Sequence, residues 1–381
     1  MLKQAKLGVL RLAEITGASH LLSGSAWRRN RLLILSYHGV SAYDEHEWAD
    51  LYISAEQFRR RMESLAQARC KVLPLAEAVQ RLQEGTLPDR AVVITFDDGY
   101  HDFYRVAFPI IESFGYPVSL YLTTYYVEYN RPVFDPMCSY LLWKGRGKRA
   151  LEWPEVFPTQ VALDDAGRTY AAAAILQFAI TRRLSGREKD GLLARLAGRL
   201  DIDYEELCRK RVMHLVTPEE ARELAARGAD LQYHTHRHRV YRSRERMFAE
   251  LEDNLRSIAA FTPREPRHFC YTGGFYLHEY PAFLKEYGIL SATTCKPGLC
   301  TASTNPLLLP RLVDTPGLSD LEFRAWLDGS ADLLPNRPYE MSEGQLLEEE
   351  LAAKHASGAL FPAIPIVPAE QVPPFPDEKP L

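Results

Sequence analysis

The sequence has no long apolar run: none approaches the roughly 20 apolar residues that cross a bilayer. It also has no strong excess of charge of one sign, with 46 Lys and Arg against 50 Asp and Glu and a net charge of -4. This balance gives no reason to expect a nucleic-acid partner, and it does not favour an acidic polymer. The hydrophobic fraction of 46% is instead that of a globular protein with a full core.

Closely paired cysteines are also missing. The six cysteines are scattered and form no CxxC pair, a pattern typical of proteins in a reducing compartment. Cys295 and Cys300 are near enough in sequence to form a bridge, but we expect free thiols. Residues 1–31 contain no uninterrupted apolar stretch before a small-residue cleavage site, so we expect a cytoplasmic location.

Residues 1–31 predict an amphipathic helical segment, in which Arg11 and Glu14 interrupt the apolar positions. We expect this segment to pack on the main domain. A peripheral membrane contact is the alternative. It would be made through basic residues, namely Lys3, Lys6, Arg28, Arg29 and Arg31. Nothing in the sequence specifies an oligomeric state.

From Leu32 onward, short apolar strands alternate with helical patterns. This alternation predicts an α/β fold with a mostly parallel sheet, either open or closed into a barrel. Residues 128–215 break the rhythm and predict a largely helical insertion within a main domain that spans residues 32–320. Residues 321–381 form a C-terminal extension, and its proline-rich end from about Phe361 predicts an extended tail.

Two adjacent carboxylates, Asp97 and Asp98, follow the apolar strand predicted for residues 91–96. Neighbouring carboxylates repel each other unless positive charge lies nearby. Because adjacent side chains point in different directions, one can bind a metal while the other contacts a water on that metal. An ordinary Asp-Gly turn after a strand is the simpler interpretation of these residues alone.

A histidine-rich segment, His234-Thr235-His236-Arg237-His238, follows another apolar strand. If this segment turns helically, the spacing of four residues places His234 and His238 on one side, able to share one ion. Two histidines and one carboxylate with open positions make a site that binds and activates water. A second metal hypothesis uses His234 and His236 as an HxH pair on a strand, as in amidohydrolase barrels.

The order and internal spacing of the two motifs resemble the polysaccharide deacetylase family, also called the NodB-homology domain or carbohydrate esterase family 4. The first strand and its His38-Gly39 end, the helix at 217–228, the segment Phe269–Gly274 and Leu309-Pro310-Arg311 are similar to further family motifs. The resemblance covers roughly residues 32–127 and 213–315. It implies a distorted (β/α) barrel of the NodB type.

The resemblance also implies roles for individual residues. Asp98, His234 and His238 would hold a divalent metal, commonly zinc, and Asp97 would be the general base that takes a proton from the attacking water. The oxyanion would be stabilised by the metal and by a backbone N–H near Gly273.

Three features depart from the family pattern. The arginine usual in the third motif is replaced, since Cys270, Thr272 and Gly273 stand there; we expect Arg311 to pair with the base from another direction. The histidine of the final motif is absent, because the later His355 sits in a helical pattern. His38 is the candidate replacement as proton donor, against a simpler role in bonding a neighbouring loop. The insertion at 128–215 separates Asp98 from His234 and alters the cleft.

The leading hypothesis is therefore a metal-dependent hydrolase that removes N-acetyl groups from a glycan or glycan precursor, with an N-acetylated carbohydrate as its binding partner. Aromatic side chains of the insertion would stack on sugar rings. An O-acetyl esterase on the same scaffold is one alternative, since the same chemistry cleaves esters. A catalytically degenerate carbohydrate-binding protein is the other, supported by the missing final-motif histidine.

Overall fold

The computed structural model describes residues 2–239, 241 and 243–335. The proline-rich tail and His355 lie outside the described residues. No helix within those ranges is both long and apolar enough to cross a membrane. The chain folds into two compact units, of which one contains residues 1–124 and 218–335 and the other Tyr125–Thr217.

Short strands and longer helices alternate along the chain. The strands are Leu33–Tyr37 (β1), Gly39–Ser41 (β2), Tyr52–Ser54 (β3), Lys71–Val72 (β4), Ala91–Asp98 (β5), Ser119–Leu122 (β6), Ala150–Leu151 (β7), Val161–Ala162 (β8), Asp230–Tyr233 (β9), His268–Cys270 (β10), Ser291–Thr293 (β11) and Leu312–Val313 (β12). The α-helices are Leu2–Ile15 (α1), Ala18–Ser23 (α2), Ala26–Arg29 (α3), Glu45–Trp48 (α4), Ala55–Gln67 (α5), Leu75–Glu84 (α6), Phe108–Ser113 (α7), Tyr125–Tyr129 (α8), Phe134–Lys144 (α9), Asp165–Thr181 (α10), Gly186–Arg199 (α11), Tyr204–Arg209 (α12), Pro218–Ala226 (α13), Arg244–Ala259 (α14), Tyr280–Tyr287 (α15) and Asp320–Asp328 (α16). Short 3-10 turns occupy Gly145–Gly147, Thr272–Gly274 and Pro306–Leu308.

The larger unit is built on a parallel sheet with the order β11-β10-β9-β6-β5-β1-β12, and β4 pairs with β5. β1 and β5 are buried along their whole lengths, as their apolar sequences require. The sheet curls because Thr293 bridges in parallel to Leu309, shortly before β12. Its two ends therefore approach each other in a distorted (β/α) barrel, as predicted.

The second unit, Tyr125–Thr217, contains the predicted insertion at 128–215. It is mostly helical, with one two-stranded antiparallel pair formed by β7 and β8. Its longest helix, α10, spans Asp165–Thr181, and the Asp164 carboxylate caps the start of this helix by accepting from the Gly167 N–H.

One helical segment departs from α-helical geometry. Phe103–Ala107 is a π-helix that leads into α7. The Phe108 N–H donates to the Phe103 carbonyl, five residues earlier. Since Pro109 has no N–H to continue the α-helical ladder, the wider turn is accommodated at this point.

The N-terminal segment forms three helices rather than one, since Gly17 adopts a left-handed conformation between α1 and α2. α1 and α2 pack against α16. Arg28 was expected among the membrane-facing basic residues, but it is buried and donates to the Leu327 and Arg31 carbonyls. The Arg28 guanidinium therefore does not reach the surface.

Candidate active site

The predicted site residues meet at the carboxyl-end edge of the parallel sheet. Asp97 and Asp98 end β5, and His38 directly follows the neighbouring β1. His234 follows β9, and Cys270 ends β10. Because all these strands are parallel, their carboxyl ends lie along one edge, where active sites of α/β proteins gather.

Asp98 contacts both predicted histidine ligands. Its Oδ1 lies 3.1 Å from His234 Nε2 and 3.1 Å from His238 Nε2. Within the described ranges these three residues form a group whose potential ligand atoms all lie within 4.8 Å of one another. The sequence separation of 136 residues between Asp98 and His234 is thus closed by the pairing of β5, β6 and β9.

The loop that carries the two histidines is not helical, and this expectation is wrong. Thr235 and His238 have positive φ values of 63° and 54°, which a helix excludes. The Thr235 hydroxyl stabilises this irregular loop by accepting from the Arg239 N–H at 3.2 Å. The two imidazoles meet because the loop folds back on itself, with ring centroids 5.1 Å apart.

His236 points elsewhere. Its Nδ1 lies 2.8 Å from Thr124 Oγ1, and its carbonyl accepts from the Thr123 hydroxyl at 3.1 Å. Burial lowers the pKa of His236 to about 4. An HxH pair with His234 would need both side chains on one face of a strand, so the structure does not support the amidohydrolase hypothesis.

Asp97 is paired with Arg311, the residue that the sequence offered in place of the missing third-motif arginine. The Nη1 and Nη2 atoms each donate to one carboxylate oxygen at 2.8 Å, and both side chains are buried. Burial would raise the pKa of Asp97, but the charge and hydrogen bonds of Arg311 outweigh it and lower the pKa to about 2. Asp97 is therefore ionised at neutral pH.

Three residues that the sequence analysis did not propose also surround this pair. Arg311 donates to Thr95 Oγ1 at 3.2 Å and to Cys270 Sγ at 3.1 Å, and Ser36 Oγ lies 3.5 Å from Asp97 Oδ2. Thr95 and Ser36 were detectable, because each is a polar residue within an otherwise apolar strand. Cys270 gave no such signal, since a thiol in a strand is usually a small buried hydrophobe.

His38 lies on the other side of Asp97, with its Nε2 3.6 Å from Asp97 Oδ2 and its side chain 13% exposed. Burial lowers the pKa of His38, and the carboxylates of Asp97 and Asp98 only partly oppose this effect. Its Nδ1 is buried and has no hydrogen-bond partner among the described residues. The expected bond to a neighbouring loop is therefore not made by that atom.

Asn254 on α14 holds His234 in place and was also missed. Its Oδ1 accepts from the His234 N–H at 3.0 Å, while its Nδ2 donates to the Leu122 carbonyl and to Thr124 Oγ1. The His234 Nδ1 is bonded to the Cys270 carbonyl at 2.9 Å, which leaves Nε2 for Asp98. A polar residue in the buried stripe of a helix was the available signal.

The backbone beside the carboxylates is tightly constrained. Asp98 has a φ of 70° and Gly99 a φ of 89°, and a Cβ on Gly99 would lie 2.2 Å from Leu122 Cδ1. Gly273, the expected source of an oxyanion-binding N–H, lies in the turn Thr272–Gly274 directly after β10, with a φ of 60°. Its role stays a prediction.

The electrostatics of the Asp98 group favour a cation. Burial would raise the pKa of Asp98, but the charge of His238 and hydrogen bonds from both rings lower it well below its usual range. Burial would lower the pKa of His234, but Cys270 and the bond to Asp98 raise it well above its usual range. Positive charge is stabilised here, and the two-imidazole, one-carboxylate donor set is one that zinc and similar divalent ions bind.

Known proteins provide an independent comparison. Residues 169–292 match the family model described as polysaccharide deacetylase, a range that includes His234 and His238 but not Asp97 and Asp98. The poly-beta-1,6-N-acetyl-D-glucosamine N-deacetylase of Escherichia coli strain K12 is 33% identical over 101 residues, 26% of this chain and 14% of that enzyme. The enzyme of the same name from Staphylococcus epidermidis is 25% identical over 139 residues, 32% of this chain and 48% of that enzyme. The chain thus covers less than two thirds of the length of either relative.

A solved structure shares the fold. The Streptococcus pyogenes deacetylase PplD, in complex with acetate, aligns with a TM-score of 0.51 at 16% identity, over 80% of this chain and 99% of that one. The motif order and the curled parallel sheet agree with the match of residues 169–292 to the polysaccharide deacetylase family model.

Proposed function

We propose that the chain is a metal-dependent hydrolase that removes N-acetyl groups from a glycan or glycan precursor. The observation that carries the proposal is the adjacency of two groups at one sheet edge. Asp98 contacts both histidines, and the neighbouring Asp97 is held by Arg311. One carboxylate is thus available for an ion and the other for a proton, as deacetylation of an amide by water requires.

Asp98, His234 and His238 would hold the ion, for which we propose zinc. A divalent ion bound there supplies Lewis acidity, which lowers the pKa of a coordinated water and polarises a carbonyl. Asn254 fixes the backbone of His234 through its N–H, and the Cys270 carbonyl orients the ring through Nδ1.

Asp97 accepts the proton of the attacking water. Arg311 keeps this carboxylate ionised and fixes the plane in which its lone pairs point, because both oxygens are bonded to the guanidinium. As the new C–O bond forms and the C–N bond breaks, the departing nitrogen must gain a proton, so that acetate and a free amine are released.

His38 is the proposed carrier of that proton. Its Nε2 is close to Asp97 Oδ2, at 3.6 Å, so a proton taken by the carboxylate has the imidazole as its next acceptor. The lowered pKa of His38 makes the protonated ring a good donor to an amine. The backbone N–H near Gly273 remains the proposed oxyanion donor.

The test measures acetate and free amine together. Oligosaccharides of β-1,6-linked N-acetylglucosamine are the first substrate, since two relatives carry that substrate in their names. We expect equal amounts of both products from the native protein and a loss of about 10²–10⁴-fold in Asp97→Asn. Acetate from O-acetylated sugars alone would identify an O-acetyl esterase. Binding without either product would identify a carbohydrate-binding protein.

For the compartment we propose the cytoplasm. All six cysteines are free thiols, including Cys295 and Cys300. Buried free thiols are typical of proteins in reducing surroundings, which supports the proposal.

A further inference from the structure

α1 is a surface helix that buries Leu10 against the rest of its unit but leaves other apolar side chains in water. Such a helix usually turns its apolar stripe toward the core and its polar residues toward water. Charged residues of α1 also contact the rest of the unit, although Lys3 and Glu14 stay exposed. Lys3 Nζ donates to the Gly317 carbonyl, and Glu14 accepts from Arg324 on α16. The half-buried Lys6 lies within the field of Glu322.

Apolar residues make up much of the exposed part of α1, beside Lys3, Gln4, Arg11 and Glu14. Ala5, Gly8, Leu12 and Ile15 are exposed at spacings of three and four residues, which places them on one face of the helix. Leu12 is 62% exposed and Ile15 is 77% exposed. Exposed apolar area costs free energy in water, so these side chains do not stabilise a protein whose α1 contacts only solvent.

This apolar face is locally concentrated. Among the described residues, the large hydrophobic side chains that are exposed include four within residues 9–21, more than in any other stretch of that length. They are Val9, Leu12, Ile15 and Leu21, which we call the α1–α2 apolar face. Scattered exposed leucines are normal on a surface, but a contiguous set marks an interaction site.

Charge indicates which partner covers this face. Without the buried Arg28, residues 1–31 contain five Lys and Arg but only Glu14 as an acidic residue, a net charge of +4, whereas the whole chain carries -4. Arg11 is exposed on α1 itself. In a two-fold dimer the same face meets itself, so two positive segments would repel. An anionic surface would instead be attracted.

We propose that the α1–α2 apolar face docks the protein on an anionic lipid surface, with α1 lying in the plane of the interface. Leu12, Ile15 and Leu21 enter the boundary between headgroups and acyl chains, while Arg11 stays at the headgroup level. The contact differs from the one expected from sequence, which included Lys3 and Arg28 among five basic residues; these two bond within the protein. This docking proposal does not depend on the proposed deacetylase activity.

Co-sedimentation of the full chain with vesicles tests this proposal. We use vesicles of phosphatidylcholine alone and of phosphatidylcholine with about 30% phosphatidylglycerol. The test variant is Leu12→Asp/Ile15→Asp, in which both changes are exposed and leave the fold intact. The matched control is Leu290→Asp, another leucine that is 59% exposed on the same unit.

The native chain and the control variant are expected to bind the anionic vesicles, at least about tenfold more tightly than neutral ones at low salt. The double variant is expected to lose at least about tenfold in affinity. Acetate release from a water-soluble oligosaccharide should be equal in all three proteins, which separates this proposal from the proposed function. Failure of the native chain to bind either vesicle would overturn the docking proposal. So would vesicle binding unaffected by the double variant, or a dimer in solution that the double variant dissociates.

Discussion

Arg311 and Asp97 form a bidentate pair across 214 residues of sequence, with both N–H···O distances at 2.8 Å. The guanidinium also donates to the Thr294 carbonyl through Nε at 2.9 Å. Arg311 directly precedes β12, whereas Cys270, at the end of β10, stands where the resemblance implied an arginine. The same electrostatic pairing is thus achieved from a different position in the chain.

Replacement of Arg311 tests this pairing. Arg311→Met leaves a buried carboxylate unpaired and should destabilise the protein by about 3–5 kcal/mol. Because the arginine holds the pKa of Asp97 at about 2, its loss should raise that pKa. The acid limb of the pH–rate profile should then move to higher pH.

Arg61→Met is the matched control for Arg311→Met. Arg61 forms another buried pair, with Asp314 at 2.9 Å, so its replacement should also destabilise the fold. It does not bond Asp97, and its acid limb should stay in place. An Arg311 variant with an unchanged acid limb would show that the arginine has only a structural role.

The role of His38 can be separated from that of Asp97 by the choice of leaving group. An amine is a poor leaving group unless it is protonated, whereas a nitrophenolate departs unaided. We expect His38→Gln to lower the rate on N-acetylated sugar by about 10²–10³-fold but to change the rate on nitrophenyl acetate by less than about tenfold. Equal losses on both substrates would contradict proton donation by His38 and favour a structural role.

Asn254 is expected to act through His234. Asn254→Leu leaves the His234 N–H and the Leu122 carbonyl without their partners, which should reduce metal affinity by about 10–100-fold. Isothermal titration with zinc measures this change. Ser257→Ala on the same helix removes a hydroxyl that donates to the Asp253 carbonyl and serves as the control. Unchanged zinc affinity in Asn254→Leu would mean that the ring is oriented by the Cys270 carbonyl alone.

His268 predicts a pH dependence of stability. Burial lowers its pKa to about 4, and its Nδ1 is bonded to Ser291 Oγ at 2.8 Å. The unfolded chain therefore takes up a proton near pH 6.5 that the folded chain refuses until about pH 4. Stability should fall as the pH decreases through this window, by up to about 3 kcal/mol from this group.

Urea unfolding at several pH values measures the His268 effect. His268→Gln should show a shallower loss of stability between pH 6.5 and 4 than the native protein. Parallel curves for the two proteins would show that His268 does not titrate differently in the folded and unfolded states.

The sequence was sufficient for the order of elements and for the residues that follow the strands. The apolar runs before Asp97 and His234 predicted parallel strands, and parallel strands bring their carboxyl ends together. It was insufficient for the histidine loop, because two left-handed residues, Thr235 and His238, break the helical turn that the four-residue spacing suggested. The bonds made by Asn254 and Cys270 depend on tertiary contacts, which a local pattern does not contain.

The orientation of α1 was likewise not predictable from the sequence. Alternation of charged and apolar residues predicted an amphipathic segment, but it did not tell which side faces the domain. Leu10 is buried while Leu12 and Ile15 are exposed, a division that depends on packing against α16, far along the chain.

Metal removal and reconstitution test the central claim most directly. The native protein, stripped with a chelator, should release no acetate from N-acetylated oligosaccharide. Zinc at about one equivalent per chain should restore the activity. Neither His234→Ala nor Asp98→Ala should bind the ion or recover, whereas His268→Gln, a buried histidine outside the cluster, should behave as the native protein does. Full acetate release from the stripped protein, or stoichiometric zinc in both ligand variants, would contradict the assignment of the metal site.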